Sequence, residues 1–494
     1  MRKAIFSSLI IIILAGTLVR LINLNQPLLE GASTRQIGTA MIARNFYNHG
    51  FRLFYPRVDW FGDNPGYLMQ EFYIIPFIAA LFYKLFGGVH EWILRLISVC
   101  SYIFATIMIY KLASYYFNKR VGIISALCFT ISPLSIYLGR AVHPEMLMIF
   151  FNMAAIYFFS QWIDEGKLRY GFWAALSFVF AVLLKVPNLY VLMPLVFIAY
   201  TKFSFNLFKV GRLWIVLIVT AIPILLFNYH QHLVRTAFPN PDMVNFKLEV
   251  ILNSIRTYLT EKNFYKSNFD NLISYTLTPI GFTLFLLGLA LRIKQKREML
   301  FHIWVLSVAF FFLIMPGQSW QGYYQMHLLP AACIIISRLI QQLSQPQFYK
   351  DNFLKKQLAH ILFLLIIITV VFRYSYAYYK VPENFQYVVG AGEAVDRLTE
   401  KNSLLICSIE NGPDLLYYSN RKGWPFKIES SDKTYDPIEN LESLRRKGAS
   451  YFASASVEKE FLANKLFSGY MFKNYKVIEK NSKFIIFDLR DRIN

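Results

Sequence analysis

Charge, acidic residues and cysteine are all scarce in this 494-residue chain. Charged residues make up 16% of it, and its 30 Asp and Glu are outnumbered by 51 Lys and Arg, for a net charge of +21. So little charge over this length excludes an ordinary soluble globular protein. The cysteines Cys100, Cys128 and Cys333 fall in apolar runs, and Cys407 stands alone, which excludes a disulfide framework and a cysteine zinc site. No internal repeat is present, so a solenoid is excluded, and no segment has low complexity. No small-x-small cleavage site follows the N-terminal MRKAIFSSLIIIILAGTLV, so it reads as a retained first helix that begins in the cytoplasm.

What the chain has is apolar length. Hydrophobic residues make up 56% and aromatics 17%, with a mean hydropathy of +0.39. They gather in runs of roughly 20 residues, which is the length that crosses a bilayer. The runs lack the alternation of a membrane barrel, so the class is a mainly α, polytopic membrane helical bundle. Apolar runs fall at about 4–22, 71–87, 92–115, 121–138, 145–163, 171–184, 187–200, 213–229, 272–291, 300–315, 324–340 and 359–378. The basic loops Lys119/Arg120, Lys167/Arg169, Lys202 to Arg212, Arg292 to Arg297 and Lys350 to Lys356 belong in the cytoplasm. All five fit only if one early run does not cross. The run 71–87 is short, begins with Glu71 and contains Pro76 and Lys84, so it reads as a juxtamembrane helix. About eleven spans remain, and the first outer loop covers about 23–91. The turn Arg140–Glu145, the loop 230–270, the turn 316–323 and the tail share that outer face.

The domain division expected is a transmembrane catalytic domain over 1–378 and an extracytoplasmic α/β domain over 379–494. In the tail, AGEAVDRLTEKN and PIENLESLRRKG read as helices. SLLICSIE, ASYFASAS, Tyr475–Lys480 and FIIFDLR read as strands.

Four polar sets stand at span boundaries. The first is Glu30, Arg35, Gln36, Thr39 and Arg44, with Asp59, Asp63 and Glu71 beyond them. One reading is an amphipathic interfacial helix with arginines on head groups. The other is a catalytic carboxylate with arginines for an anionic group. The second set is Arg140, His143 and Glu145, where Pro144 suits a helix start and Glu145 lies at its positive end. The third is Lys185 in the turn Lys185-Val186-Pro187-Asn188, either snorkelling to water or holding a phosphate as a point charge. The fourth is Trp320, Tyr323 and Tyr324, an interfacial aromatic belt or a surface for a sugar or lipid tail, with Gln321 and Gln325 as hydrogen-bond donors. Carboxylates with cations at an outer membrane surface suit transfer from an amphipathic donor with a phosphate leaving group.

These residues resemble the GT-C membrane glycosyltransferases. The branch is that of the bacterial dolichyl-phosphate-mannose-protein mannosyltransferase and aminoarabinose transferase type. The resemblance covers about 1–378. It rests on Arg35-Gln36, Thr39-Ala40 and Ile42 to Tyr47, then Tyr55 to Trp60, Pro65-Gly66-Tyr67 and Glu71-Phe72. It continues with Ser132, Pro133, Tyr137, Arg140, Pro144 and Glu145, the Lys185-Val186-Pro187 turn, and Tyr323-Tyr324 to Pro330. The family's first acid is usually Asp beside histidines. Here it is Glu30, followed by Ala32 and Ser33.

The resemblance implies a glycosyltransferase, a hexosyl- or pentosyltransferase that moves sugar from a polyprenyl-phosphate donor to a glycan, lipid or protein acceptor. Transfer occurs at the outer face of the cell membrane with inversion. It implies Glu30 as base, with Asp59 the alternative, and Glu145 orienting acceptor or substrate. Arg35, Arg140 and Lys185 would bind the donor phosphate, and Gln36, Asp59, Glu71, Tyr323 and Tyr324 the substrate. Membrane lipids are expected partners, and nucleic acid is not. No cofactor and no metal are expected, although related oligosaccharyltransferases place a divalent ion between loop acids. Two rivals stand. A flippase or transporter of lipid-linked sugars would carry charges deep in its spans and inverted repeats with broken helices. A polysaccharide polymerase would use a late outer loop, here 230–270 with His230, His232 and Arg235.

Overall fold

A computed structural model describes residues 2–239, 248–316, 321–344, 369–408, 412–430 and 434–493. The basic loop Lys350 to Lys356, Trp320 and the first half of the apolar run 359–378 lie outside the described residues. The chain forms two compact units. One comprises Met1–Leu24, Arg95–His232 and Val244–Ala377, and the other Asn25–Leu94, Leu233–Met243 and Tyr378–Asn494. The tail therefore shares a unit with the first loop.

Among the described residues, five helices are long and apolar enough to cross a membrane: Glu91–Tyr116, Glu145–Glu165, Val186–Lys209, Gly211–Ala237 and Lys296–Ile314. A sixth arises if Lys262–Thr276 and Thr278–Leu289, bent by 103° at their junction, count as one broken span. Thr278 at that junction has φ +65°, a left-handed conformation that a β-branched residue rarely adopts. The run expected over 121–138 divides into Lys119–Ile131 and Pro133–Leu138. Pro133 removes a backbone donor there, and the Ser132 hydroxyl caps the new start by accepting from Ser135 N–H at 3.4 Å.

The helix Ile74–Phe86 has 13 residues, a rise of about 20 Å against a hydrocarbon core of about 30 Å. It packs Ile75, Pro76, Ala79, Ala80 and Tyr83 inward and leaves Leu81, Phe82, Leu85 and Phe86 exposed.

The tail carries a five-stranded sheet in the order β2-β1-β3-β5-β4. The strands are β1 (Leu404–Ser408), β2 (Lys422–Phe426), β3 (Ala449–Ser454), β4 (Tyr475–Lys480) and β5 (Ile485–Arg492). β1 runs parallel to β2 and β3, and β5 antiparallel to β3 and β4. Helices Val388–Leu398 and Pro437–Arg446 stand where their amphipathic patterns place them. Asp436 caps the second by accepting from Ile438 N–H at 2.7 Å. Ile406, Phe452, Phe461, Phe467 and Phe487 form the core on the sheet.

β2 has no counterpart in the sequence reading. Its KGWPF holds a glycine and a proline, which mark it as a breaker segment. It is tolerated because β2 is an edge strand, where Pro425 needs no second ladder partner. The free side of β2 serves the first loop instead. Gly423 N–H donates to Asp59 carbonyl at 2.9 Å, and Gly62 N–H donates to Gly423 carbonyl at 2.8 Å. A methyl group on Gly423 would overlap the Leu405 carbonyl of β1. Gly423→Ala is therefore expected to cost about 1–3 kcal/mol by overpacking. A lowered thermal midpoint of the purified protein, with faster proteolysis of the tail, is the measurement that checks it.

Candidate functional site

The first unit gathers three of the four polar sets. Helix Glu145–Glu165 begins after Pro144, and Glu145 occupies its first turn. Helix Leu168–Leu184 ends at Lys185, whose extended backbone turns the chain into Val186–Val191. These ends bring Lys185 Nζ onto Glu145 Oε1 as an ion pair, with side chains 7% and 1% exposed. The other oxygen, Oε2, lies 3.2 Å from His143 Nδ1. His143 Nε2 in turn lies 3.5 Å from the Tyr137 hydroxyl.

The tyrosines complete the cluster. Lys185 Nζ sits 4.7 Å from the ring centre of Tyr323 and 4.4 Å from that of Tyr324. The two rings stack at 4.9 Å. A desolvated ammonium gains from an aromatic face, so the rings add to the attraction of the carboxylate at this position. Gln325, expected as a donor to ligand, is engaged by the fold: it accepts from Thr276 Oγ1 at 2.6 Å and donates to Asn268 carbonyl at 2.7 Å. A cavity of about 500 Å³ begins at Val186, the residue after Lys185, and is lined also by Pro187, Tyr190, Phe310, Phe311 and Ile314 among others. A cavity with so apolar a lining suits a hydrocarbon tail.

Arg140 has a different setting. It is fully buried, and its Nη2 donates to the carbonyls of Ile22 at 3.0 Å and Asn23 at 3.4 Å. Those carbonyls lie just past the end of the first helix at Leu21, where helix carbonyls lack intrahelical partners. Sequence reasoning missed His327, whose fully buried ring lies against Tyr190, Phe311 and Tyr324. Neither of its ring nitrogens has a hydrogen-bond partner among the described residues.

The second unit holds the first-loop set. Helix Ser33–His49 is buried almost continuously from Gln36 to Phe46, so it is a core helix and the amphipathic interfacial reading does not describe it. Its arginines meet carboxylates. Arg35 pairs with Glu71, and Arg44 Nη2 donates to Asp59 Oδ2 at 2.8 Å. Asn45 Nδ2 donates to Asp59 Oδ1 at 2.9 Å, so both Asp59 oxygens are committed to this helix. Glu30 precedes the helix and is fully buried. Gln36 Nε2 donates to the Glu30 backbone carbonyl at 2.7 Å. Gly31 takes φ +59°, the left-handed turn that glycine adopts without strain, and so redirects the chain into the helix. Among the described residues, no three His, Cys, Asp or Glu side chains gather to hold a metal ion.

Asp414, in the short helix Asp414–Tyr418, is a second group that sequence reasoning missed. Its Oδ2 accepts from Ser33 Oγ at 3.1 Å, while Oδ1 is buried with no hydrogen-bond partner among the described residues. Burial pushes its pKa up to about 7, against the weaker opposing effect of the Ser33 hydroxyl. A carboxyl raised in the folded state stabilises fully at acid pH, below its unfolded pKa, and loses that contribution as pH rises through about 7. Asp414→Asn removes the ionisation. The thermal midpoint of the variant is expected to match the parent at about pH 4 and to exceed it by several degrees at about pH 9.

Sequence and structure comparisons agree on one fold. Residues 73–230 match the family model described as dolichyl-phosphate-mannose-protein mannosyltransferase. No curated protein matches the chain. The structure is similar to that of ArnT from Cupriavidus metallidurans bound to undecaprenyl phosphate, with a TM-score of 0.67, 12% identity and 97% of each chain covered. It is also similar to the archaeal oligosaccharyltransferase AglB from Archaeoglobus fulgidus in complex with an inhibitory peptide and a dolichol-phosphate. That match has a TM-score of 0.55 and 14% identity, and covers 96% of this chain and 74% of AglB. The arabinofuranosyltransferase AftD from Mycobacteria aligns with a TM-score of 0.55 and 12% identity, over 97% of this chain and 41% of AftD. With a membrane segment that matches the mannosyltransferase family model and a whole-chain match to ArnT, the chain carries the fold of the GT-C membrane glycosyltransferases.

Proposed function

We propose that the protein is a glycosyltransferase that moves a sugar from a polyprenyl-phosphate-linked donor to an acceptor at the outer face of a cell membrane. The observation that carries this reading is Lys185, a buried side chain held by Glu145 and two tyrosine rings, in a chain turn whose next residue, Val186, lines an apolar cavity. An ammonium has three donors, and Glu145 takes one, so two can serve a phosphate. The cavity suits the first isoprene units of the donor. That solved relatives hold undecaprenyl phosphate and dolichol-phosphate supports the same chemistry.

In the reaction, the acceptor oxygen attacks the anomeric carbon while the carbon–oxygen bond to the phosphate breaks. The bonding pair leaves with the polyprenyl phosphate, and a single displacement inverts the centre. Lys185 stabilises charge that grows on the leaving phosphate. Glu30 takes the acceptor proton, the role that the family resemblance implies for the first-loop acid. Arg140 supports the site by holding the end of the first helix. Glu145 orients Lys185 and, through His143, the substrate side of the cluster. Cations balance the leaving group, so the reading needs no metal.

One observation favours a second reading. The helix pair bent by 103° is the kind of broken helix that transporters of lipid-linked sugars use. Purified protein in liposomes, supplied with labelled polyprenyl-phosphate sugars and candidate acceptors, separates the two. Transferase activity is expected, with Glu30→Gln lowering turnover by about 10²–10⁴-fold and Lys185→Met by about 10²–10³-fold. Labelled donor crossing the bilayer without release of polyprenyl phosphate, or full activity in both variants, overturns the proposal.

A further inference from the structure

The chain around Glu30 is tied down by the tail. Leu28 N–H donates to the Tyr418 hydroxyl at 2.8 Å, two residues before Glu30. Ser33 Oγ donates to Asp414 Oδ2 at 3.1 Å, three residues after it. Asp414 and Tyr418 are the two ends of one short helix, four residues apart and so on one face. That single turn therefore grips the Glu30 segment on both sides. Leu28, Leu29 and Glu30 are fully buried between the two grips.

Each grip is itself anchored. The Tyr418 hydroxyl in turn donates to the Glu91 carboxylate. Between the two grips, the neighbouring Tyr417 carbonyl accepts from Arg44 Nη1 at 2.6 Å, and the Arg44 guanidinium lies 4.6 Å from the centre of the Tyr417 ring. Arg44 continues to Asp59, whose carbonyl takes the Gly423 N–H of β2. The segment, the core helix Ser33–His49 and the edge strand are thus one hydrogen-bonded body.

A general base must be held within a fraction of an ångström of its working geometry, and neighbours lock it there. Gly31 leaves the Glu30 segment free to adopt other conformations, since glycine adds no steric restriction. We propose that the tail domain is a working part of the transferase, with Tyr418 and Asp414 as positioning residues that fix the Glu30 carboxylate through Leu28 and Ser33. The proposal rests on the reading of Glu30 as base and names what aims it. It gives the α/β tail a role in turnover that differs from binding acceptor or covering the outer face.

Tyr418→Phe and Asp414→Ala test it in the full-length protein, assayed as transferase with labelled polyprenyl-phosphate sugar. Each variant is expected to lower kcat about tenfold while the donor KM stays within about twofold, since aim is lost and donor binding is not. In Tyr418→Phe, amide hydrogen exchange at Leu28 is expected to accelerate by at least about tenfold, because its acceptor is gone, while the thermal midpoint is kept. A kcat unchanged in both variants overturns the proposal. So does a loss of kcat that tracks a fallen thermal midpoint or a raised donor KM. Glu30→Gln separates the two levels. An active Glu30→Gln removes the base itself, whereas an inactive Glu30→Gln beside fully active Tyr418→Phe and Asp414→Ala removes only the role given to the tail.

Discussion

Buried charge at the edge of a bilayer is the constraint that organises this molecule. A charged side chain there must find an opposite charge or a ring of dipoles inside the protein, since lipid offers neither. The Lys185–Glu145 pair meets that demand with a carboxylate, a histidine and two aromatic faces. Removing one partner of such a pair costs about 3–5 kcal/mol, far more than the pair contributes net. The ends of helices Glu145–Glu165 and Leu168–Leu184 are therefore held in one arrangement by the electrostatics of two side chains.

Arginine solves the same problem another way. Arg20 donates to the Gly16 carbonyl at 2.9 Å, the Thr130 carbonyl at 3.1 Å and the Ser135 hydroxyl at 3.0 Å, and its guanidinium lies 3.6 Å from the centre of the Tyr102 ring. Arg140 does likewise for Ile22 and Asn23. A rigid fork of five donors satisfies several carbonyls at once, which a lysine cannot do. Arg140 and Lys185 thus differ in how the fold holds them, carbonyls for one and a carboxylate with aromatic rings for the other.

Much of this was legible in the sequence. Pro144 before Glu145 marked a helix start, and the short apolar run 71–87 marked a helix, which the structure bounds at Ile74–Phe86. Strands β1, β3, β4 and β5 fall in the tail segments that read as strands. What escaped shares one cause. The partners of Arg44, Ser33 and Leu28 lie more than 370 residues away at Tyr417, Asp414 and Tyr418, and no local pattern encodes a pairing at that separation. β2 escaped because its proline contradicts strand propensity, and only its place at the sheet edge makes it admissible. His327 escaped because a histidine in an apolar run looks like any other core residue until its unpaired nitrogens are seen.

The second unit is assembled from Asn25–Leu94, Leu233–Met243 and Tyr378–Asn494. During synthesis its first piece emerges hundreds of residues before its last. Until β2 and the turn Asp414–Tyr418 arrive, the Asp59 carbonyl, the Leu28 amide and the Ser33 hydroxyl have no protein partners of the kind they hold in the finished fold. Contacts of such long sequence separation form late. The loop that carries Glu30 can make its internal pairs early, but its bonds to the tail wait until residues 414–423 have been made. Completion of the first loop is timed by residues of the tail.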